Sequence, residues 1–284
     1  MLAADALAGR TFLVTGANSG IGRVVAGELA GHGGRVFLAC RTAETAAATA
    51  DSLRARAGAP ALAFEALPLD LGDQASVRAA AAAFLARGIA LHGLINNAGL
   101  TTRGARSRDG IELTFAVNHL GHFLLTRLLE PALRAGAPSR VVNVASEAHR
   151  SAPGIDFSAL QRPGSSSGLS EYAVSKLCNI LFTRELARRW AGSGVTAYAV
   201  HPGVVATGIW RRLPQPVRWL ATRSMLSPEE GARTILTCAT APELAAASGR
   251  YYKHEREALP RPVAEDDALA ARLWTESERL AGLG

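Results

Sequence analysis

Residues 11–30 read TFLVTGANSGIGRVVAGELA, and the reading of this stretch decides the fold. Phe12, Leu13 and Val14 make a short apolar run. Ile21, Val24, Val25 and Leu29 then recur at helical spacing up to the glycine-rich stop at Gly31 to Gly34, which predicts a strand, a tight turn and a helix. The turn from Thr15 to Gly22 carries Gly16, Gly20 and Gly22 in the spacing G-x-x-x-G-x-G. Glycines there permit tight backbone geometry and let an anionic group approach the first amides of the helix, where unpaired N–H groups and the dipole favour negative charge. A glycine triad alone is a weak signal, since any tight turn uses glycine. Its position between strand and helix makes it a candidate phosphate cradle.

Outward from this turn the alternation continues. Val36 to Cys40 is a second apolar run, followed by Thr42 as an N-cap and an alanine-rich helix to about Ala57, before Gly58 and Pro60. A third run, Ala61 to Leu69, ends at Asp70, and Gln74 to Ala86 reads as helix. Leu94 and Ile95 centre a fourth strand, helices fall between about Asp109 and Ala135, and Arg140 to Ala145 is a fifth strand. Such a rhythm predicts an α/β fold: a doubly wound parallel sheet of about seven strands, because parallel neighbours need crossover helices over the sheet faces. Ligands are then expected at the carboxyl ends of the strands. With no repeat or linker, residues 1–284 read as one domain. Two stretches break the rhythm. Ser151 to Ser170, rich in Ser, Gly and Pro, is expected as a surface loop. Thr207 to Pro228 carries Trp210, Leu213, Trp219 and Leu220 among four arginines. It reads either as an ordinary surface excursion or, over about residues 204–228, as a substrate-side lid.

Composition excludes several classes. With 48% hydrophobic and 19% charged residues, disordered and coiled-coil classes are out, and 6% aromatics argue against stacking platforms for bases. Thirty-one basic against 24 acidic residues give a net charge of +7. That balance suits nucleic acid, an anionic membrane surface or a phosphate-bearing ligand, and does not choose among them. Cys40, Cys178 and Cys238 are odd in number and widely scattered, which argues for a reducing compartment and for buried thiols, against disulfides or a zinc site. The start of the chain, Met1 to Gly9, has no cationic, apolar leader pattern, and no apolar run is long enough to span a bilayer. The expectation is a cytoplasmic protein with at most peripheral membrane contact. His119 and His122 lie one helical turn apart without a third ligand at metal spacing, so they read as polar core residues and no metal is expected. The absence of a G-x-S-x-G elbow disfavours a serine hydrolase.

Tyr172 and Lys176 form Y-x-x-x-K, one helical turn, so both side chains emerge on the same helix face. A nearby ammonium would lower the phenol pKa from about 10, letting the tyrosine exchange a proton with a substrate oxygen near working pH. The pattern is common by chance. Ser146, 26 residues earlier at the end of the fifth strand, strengthens it by offering a hydroxyl to a carbonyl oxygen. Arg41 lies 19 residues beyond Gly22, where a dinucleotide site that reads the ribose 2′-hydroxyl would place an acid; a cation there suits a 2′-phosphate. The bland alternative is a solvated arginine opening a helix.

In this order, the TGANSGIG turn, Asn96, Asn97, Ala98 and Gly99 as N-N-A-G, Ser146 and Y-x-x-x-K resemble the short-chain dehydrogenase/reductase family, from Gly9 to about Leu283. The segments ACR at 39–41, NHLGHFLLT at 118–126, VNVASEAHR at 142–150, KLCNILFTREL at 176–186 and HPGVVAT at 201–207 look like its retinol dehydrogenase-like branch. The resemblance implies a single-domain Rossmann-type fold and a catalytic tetrad of Asn118, Ser146, Tyr172 and Lys176, the asparagine helping to hold a proton relay. It implies cofactor contacts at Gly16, Ser19, Gly20, Ile21 and Gly22 and at Arg41. Asp70 and Leu71 would meet the adenine, and Asn97, Ala98 and Gly99 the adenosine side. Tyr172 and Lys176 would meet the ribose, and Pro202, Gly203, Val205 and Thr207 the nicotinamide carboxamide. Ser19 stands where many NADP-preferring relatives carry a basic residue, so NADP(H) is expected through Arg41 with NAD(H) left open. The Ser-to-Tyr spacing is about double that of many relatives, and position at a strand end favours Ser146 over Ser151.

The activity so implied is NADP(H)-dependent interconversion of a hydrophobic carbonyl and its alcohol. Alternatives are a tailoring ketoreductase for one secondary metabolite, a non-catalytic dinucleotide sensor, which usually shows a broken tetrad, and a basic nucleic-acid or membrane-surface binder using Arg211, Arg212, Arg218 and Arg223. The resemblance also implies a homodimer or homotetramer built through the long helices, including the one bearing Tyr172.

Overall fold

The apolar run at the start of the decisive stretch becomes strand β1, Thr11–Thr15, buried along its whole length. A strand covered on both faces must be continuously apolar, and Phe12, Leu13 and Val14 meet that demand. The computed structural model describes residues 5–59, 61–162, 164–203 and 226–284. Helix α1 (Gly20–Gly31) follows the glycine turn, then β2 (Arg35–Cys40), α2 (Ala43–Ala57), β3 (Phe64–Pro68), α3 (Gln74–Leu85) and β4 (Gly93–Asn96). Next come α4 (Leu113–Phe115), a π-helical turn at Ala116–Leu120, α5 (Gly121–Leu128), α6 (Glu130–Ala135) and β5 (Ser139–Val144). The long helix α7 (Leu169–Arg189), β6 (Val195–His201), α8 (Pro228–Thr240), β7 (Arg250–Lys253), β8 (Arg256–Glu257) and α9 (Asp267–Leu280) complete the described elements.

The strands form one sheet in the order β3-β2-β1-β4-β5-β6-β7-β8, parallel except for β8, which runs antiparallel to β7. The sequence predicts about seven strands; the eighth is a two-residue ribbon closed by His254 and Glu255 at φ 50° and 61°. That turn needs positive φ at both central residues, a geometry ordinarily announced by Asn or Gly, so the His-Glu pair gave no signal. The strand order reverses between β1 and β4, and at such a switch point the carboxyl ends of the strands open a crevice. Alternate residues of each strand feed two apolar layers. Leu13, Phe37 and Leu94 join the layer under α3, α5 and α7, while Phe12, Val14, Val36 and Leu38 join the layer under α1, α2 and α8.

Helix α9 packs on α7 and closes the first layer. Trp274 stands edge-on to Phe123 at 5.1 Å between ring centroids, with the guanidinium groups of Arg127 and Arg189 at 4.9 Å and 4.6 Å from its ring. Ser277 Oγ lies 3.0 Å from His119 Nε2, and Arg184 pairs with Asp267 at 3.0 Å. The expected oligomer contact through the helix bearing Tyr172 meets an obstacle here. A second copy could pack against the α9-covered face of α7 only by displacing α9, whose Ala270, Leu273 and Trp274 are buried. Trp274→Ala is expected to cost about 3 kcal/mol of unfolding free energy, the lower end for a buried aromatic because the two arginines can follow the cavity. Urea titration followed by circular dichroism measures it; an unchanged midpoint would mean that α9 is not part of the cooperative core.

Candidate active site

The glycine turn is held against the ends of its neighbours. Gly16 adopts φ +65° and its amide donates to Ala39 O at 3.0 Å, tying the turn to the end of β2. A Cβ on Gly22 would run into Asn97 Nδ2 and the Gly16 carbonyl. Ser19 is the N-cap of α1 but makes no side-chain cap bond, and no acidic residue occupies the first turn. The opening amides of α1 are therefore left for an anion, as a dinucleotide pyrophosphate requires. Ile21 and Gly22 are buried, while Ser19 is exposed beside Gly20. Arg41 is exposed at the end of β2 and forms no ion pair with a described residue. Asp70 Oδ1 accepts from the Gly72 amide at 2.9 Å, a local turn, and Leu71 is buried against Gly121.

Asn97 and Ala98 donate their amides to Thr15 Oγ1 at 2.9 and 3.0 Å, and Asn97 Nδ2 donates to Thr15 O at 2.9 Å. This braces Asn96 to Gly99 across the switch point, with Gly99 bordering Asn118 Oδ1 and Lys176 Nζ. The helices expected between about Asp109 and Ala135 include a π-helical turn at 116–120, a local widening often found at functional sites. Within it, Asn118 Oδ1 accepts from the Leu100 amide at 2.8 Å, and Nδ2 donates to Leu100 O at 2.9 Å and Ser175 Oγ at 3.0 Å. His122 bridges the two halves. Its Nδ1–H donates to Asn118 O at 3.1 Å, which leaves Nε2 to accept from the Thr15 hydroxyl at 2.9 Å. Burial pushes His122 down to about 4, against the pull of the Asn118 carbonyl, so the ring is neutral and its tautomer is fixed by its partners.

Ser146 follows β5 and caps the short 3₁₀ turn Glu147–Ser151, its Oγ accepting from the Ala148 amide at 3.2 Å. Its side chain lies beside the Tyr172 phenol. Ser151, the other serine considered, is exposed at the far end of that turn. Lys176 is buried, with Nζ donating to Val144 O at 2.8 Å and lying 5.5 Å from the centroid of the Tyr172 ring. Burial lowers Lys176 to about 8. The sequence reading expected this ammonium to depress the phenol. In the ligand-free chain burial raises the phenol pKa and Ser146 lowers it, while Lys176 Nζ donates to Val144 O.

Pro202 and Gly203 leave the end of β6, with Gly203 at φ +88° and no room for a Cβ beside Leu226. Val205 and Thr207, with Trp210, Trp219 and the expected lid as far as residue 225, lie outside the described residues. The far end of that stretch is a capping box, Ser227 with Glu230, that starts α8. The Ser151 to Ser170 stretch is more than a surface loop. Leu160 is buried, its carbonyl accepts from the Glu112 amide at 2.9 Å, and the stretch walls a cleft of about 440 Å³ beside the first turns of α7, lined by Phe115, Ile155 and Val174 together with the carboxylates Glu112, Asp156 and Glu171.

Three residues of this region were not singled out by the sequence as parts of a site. His122 carried a signal, its i, i+4 spacing from Asn118. Glu147 and His201 did not, because their partners come from distant strands. Glu147 Oε1 accepts from Tyr251 Oη at 2.8 Å and Oε2 from Lys253 Nζ at 3.0 Å, while its amide donates to His201 Nδ1 at 3.3 Å. Burial of Glu147 is outweighed by these bonds and by Arg150, which hold the carboxyl at about 2. The thiols carry no chemistry: all three are free and buried, Cys40 pushed up to about 11 and Cys238 to about 12 by burial. Among the described residues no helix is long and apolar enough to cross a membrane.

The short chain dehydrogenase family profile matches residues 10–217. Dehydrogenase/reductase SDR family member 13 of Bos taurus is 47% identical over 98% of this chain and 74% of its own length. Human retinol dehydrogenase 11 is 43% identical over 98% of this chain and 87% of its own. Among solved structures, NADPH-bound carbonyl reductase from chicken fatty liver superimposes with a TM-score of 0.67 at 25% identity, covering 89% of this chain and all of that one. The Pseudomonas aeruginosa RhlG/NADP active-site complex does so with a TM-score of 0.71 at 30% identity over 88% and 96%. The glycine turn at the switch point, the four polar side chains gathered beside it and these relatives lead to one conclusion: the chain is an oxidoreductase of the short-chain dehydrogenase/reductase family, in its retinol dehydrogenase-like branch.

Proposed function

We propose that the protein reduces a hydrophobic aldehyde or ketone to its alcohol with NADPH, the reverse reaction being available at the same site. The observation that carries this reading is the gathering of Ser146 after β5, Tyr172, buried Lys176 on Val144 O and Asn118 on Ser175 beside the switch point. The bound reduced dinucleotide supplies the hydride for the carbonyl carbon. Gly16, Ser19 and Gly20 to Gly22 would hold its pyrophosphate, and Arg41 its 2′-phosphate. Ser146 donates a hydrogen bond to the carbonyl oxygen. Tyr172, its pKa raised, stays protonated at neutral pH and delivers its proton to that oxygen as negative charge develops there. Lys176, lowered by burial to about 8, packs on the Tyr172 ring with Nζ on Val144 O and would hold the dinucleotide ribose. The likeness to retinol dehydrogenases supports a bulky hydrophobic substrate.

Steady-state assays of purified protein with NADPH and NADH against a panel of hydrophobic carbonyls test the reading. Turnover with neither cofactor would overturn it. Arg41→Asp tests the cofactor assignment separately: removing a charge-assisted phosphate contact worth about 2 kcal/mol and adding a repulsive carboxylate is expected to lower kcat/KM with NADPH by about thirtyfold or more. kcat/KM with NADH should stay within about threefold. Equal losses with both cofactors would place Arg41 away from the 2′-phosphate.

A further inference from the structure

We propose that Glu147 is a positioning residue that holds Ser146 in place beside Tyr172 and locks it to the strand end leading to Pro202 and Gly203. The inference rests on the proposed roles of Ser146 and Tyr172 and adds to them a residue with no place in the tetrad. Three observations carry it.

First, Glu147 adjoins Ser146, and each of its polar groups is spent on a different part of the fold. Its carboxylate takes Tyr251 and Lys253 from β7 and Arg150 Nε, at 3.2 Å, from the 3₁₀ turn. Its amide takes His201 at the end of β6. An isolated surface ion pair orients little. A carboxylate shared between a phenol and an ammonium of β7 and a guanidinium of its own turn fixes the turn against β7.

Second, the same turn pins both ends of Ser146. The Arg261 amide donates to His149 Nε2 at 3.1 Å, so the His149 proton sits on Nδ1, where it donates to Ser146 O at 2.7 Å. His149 is fully buried and its ring meets Tyr251, the phenol that holds Glu147, at 5.4 Å. The Ala148 amide meanwhile occupies one lone pair of Ser146 Oγ, which sets the rotamer and leaves the hydroxyl proton for the site.

Third, His201 Nδ1 receives the Glu147 amide and lies two residues before Gly203. One side chain therefore sets the Ser146 end of the site and the β6 end together. Misplacement of a reacting group by about 1 Å can cost about a hundredfold in rate, so a brace of this kind acts on kcat rather than on binding.

The test is Glu147→Gln. The carboxamide oxygen can keep Tyr251, but its NH₂ then faces the donors Lys253 and Arg150. Carbonyl reduction with NADPH is expected to lose about tenfold to a hundredfold in kcat with the KM for NADPH within about twofold. Glu147→Asp is expected to restore part of the loss. Arg250→Ala, which breaks the exposed Arg250–Glu257 pair on the same sheet edge, should match wild type. The crystal structure of Glu147→Gln should show Ser146 Oγ shifted from its wild-type place beside Tyr172. Tyr251→Phe removes one bond of the same carboxylate while keeping the ring against His149, and replaces Glu147→Gln if that variant does not fold. Ser146 unmoved beside Tyr172, with a kcat equal to that of Arg250→Ala, overturns the proposal. If the wild-type enzyme turns over no carbonyl, the assigned activity fails, while the position of Ser146 in the variant crystal still decides the positioning role.

Discussion

Tyr172→Phe is expected to lower kcat for carbonyl reduction about a thousandfold, within the range for loss of a general acid, with the fold intact. The ring keeps its packing and the Lys176 Nζ stays on its face; only the phenol hydroxyl, with at most one hydrogen bond, is lost. One such hydrogen bond contributes about 1 kcal/mol, so Tm should move by no more than about 2–4 °C. The loss should lie in kcat, because the phenol meets the substrate oxygen and not the anchoring groups of the dinucleotide. Activity within about threefold of wild type would remove Tyr172 from the proton path.

Acid should unfold the protein over a narrow range. Burial pushes His119 down to about 3, and His122 and His201 to about 4, from an ordinary 6.5. The unfolded chain binds these protons once the pH falls below 6.5, whereas the folded chain refuses them until about 4, so stability falls as the pH drops between those values. Each histidine contributes a slope of about 1.4 kcal/mol per pH unit, and the three together approach 10 kcal/mol across the window. A domain of ordinary stability, about 5–15 kcal/mol, would then lose its fold near pH 5. Glu147, held at about 2, adds a further loss only below 4.5. Lys176 acts at the other end: neutral in the fold above about 8 but charged in the unfolded chain until about 10.5, it makes stability rise between those values. Urea unfolding at a series of pH values measures all of this. A flat unfolding free energy from pH 6.5 to 5 would mean that the three rings are not held neutral.

Local patterns made the fold legible. The run at 12–14, the turn at 15–22 and the periodicity at 21–29 each report one element, and the crossover rules then leave little freedom for the sheet. Tyr172 and Lys176 could be paired because a helix converts a spacing of four into one face. Ser146 could be placed because it ends a strand. The interruption of the helix at Asn118 could not be seen, since Ala116 to Leu120 are ordinary helix formers and the widening arises from packing. Helix α9 was equally hidden as a cover for α7, because Trp274 meets Phe123 and Phe182 across about 90–150 residues of chain. The same distance in sequence hid the partners of Glu147. The Val144 partner of Lys176 was hidden for a related reason: spacing brings Lys176 to the same helix face, while only coordinates reveal that its Nζ donates to Val144.

The most direct test of the account uses NADPH deuterated at the transferable position of the nicotinamide ring and a hydrophobic aldehyde or ketone. Mass spectrometry of the products should find deuterium on the carbinol carbon with wild-type protein and almost none with Tyr172→Phe over the same time. Unlabelled alcohol, or equal labelling by the two proteins, would contradict hydride transfer at a site in which Tyr172 delivers the proton.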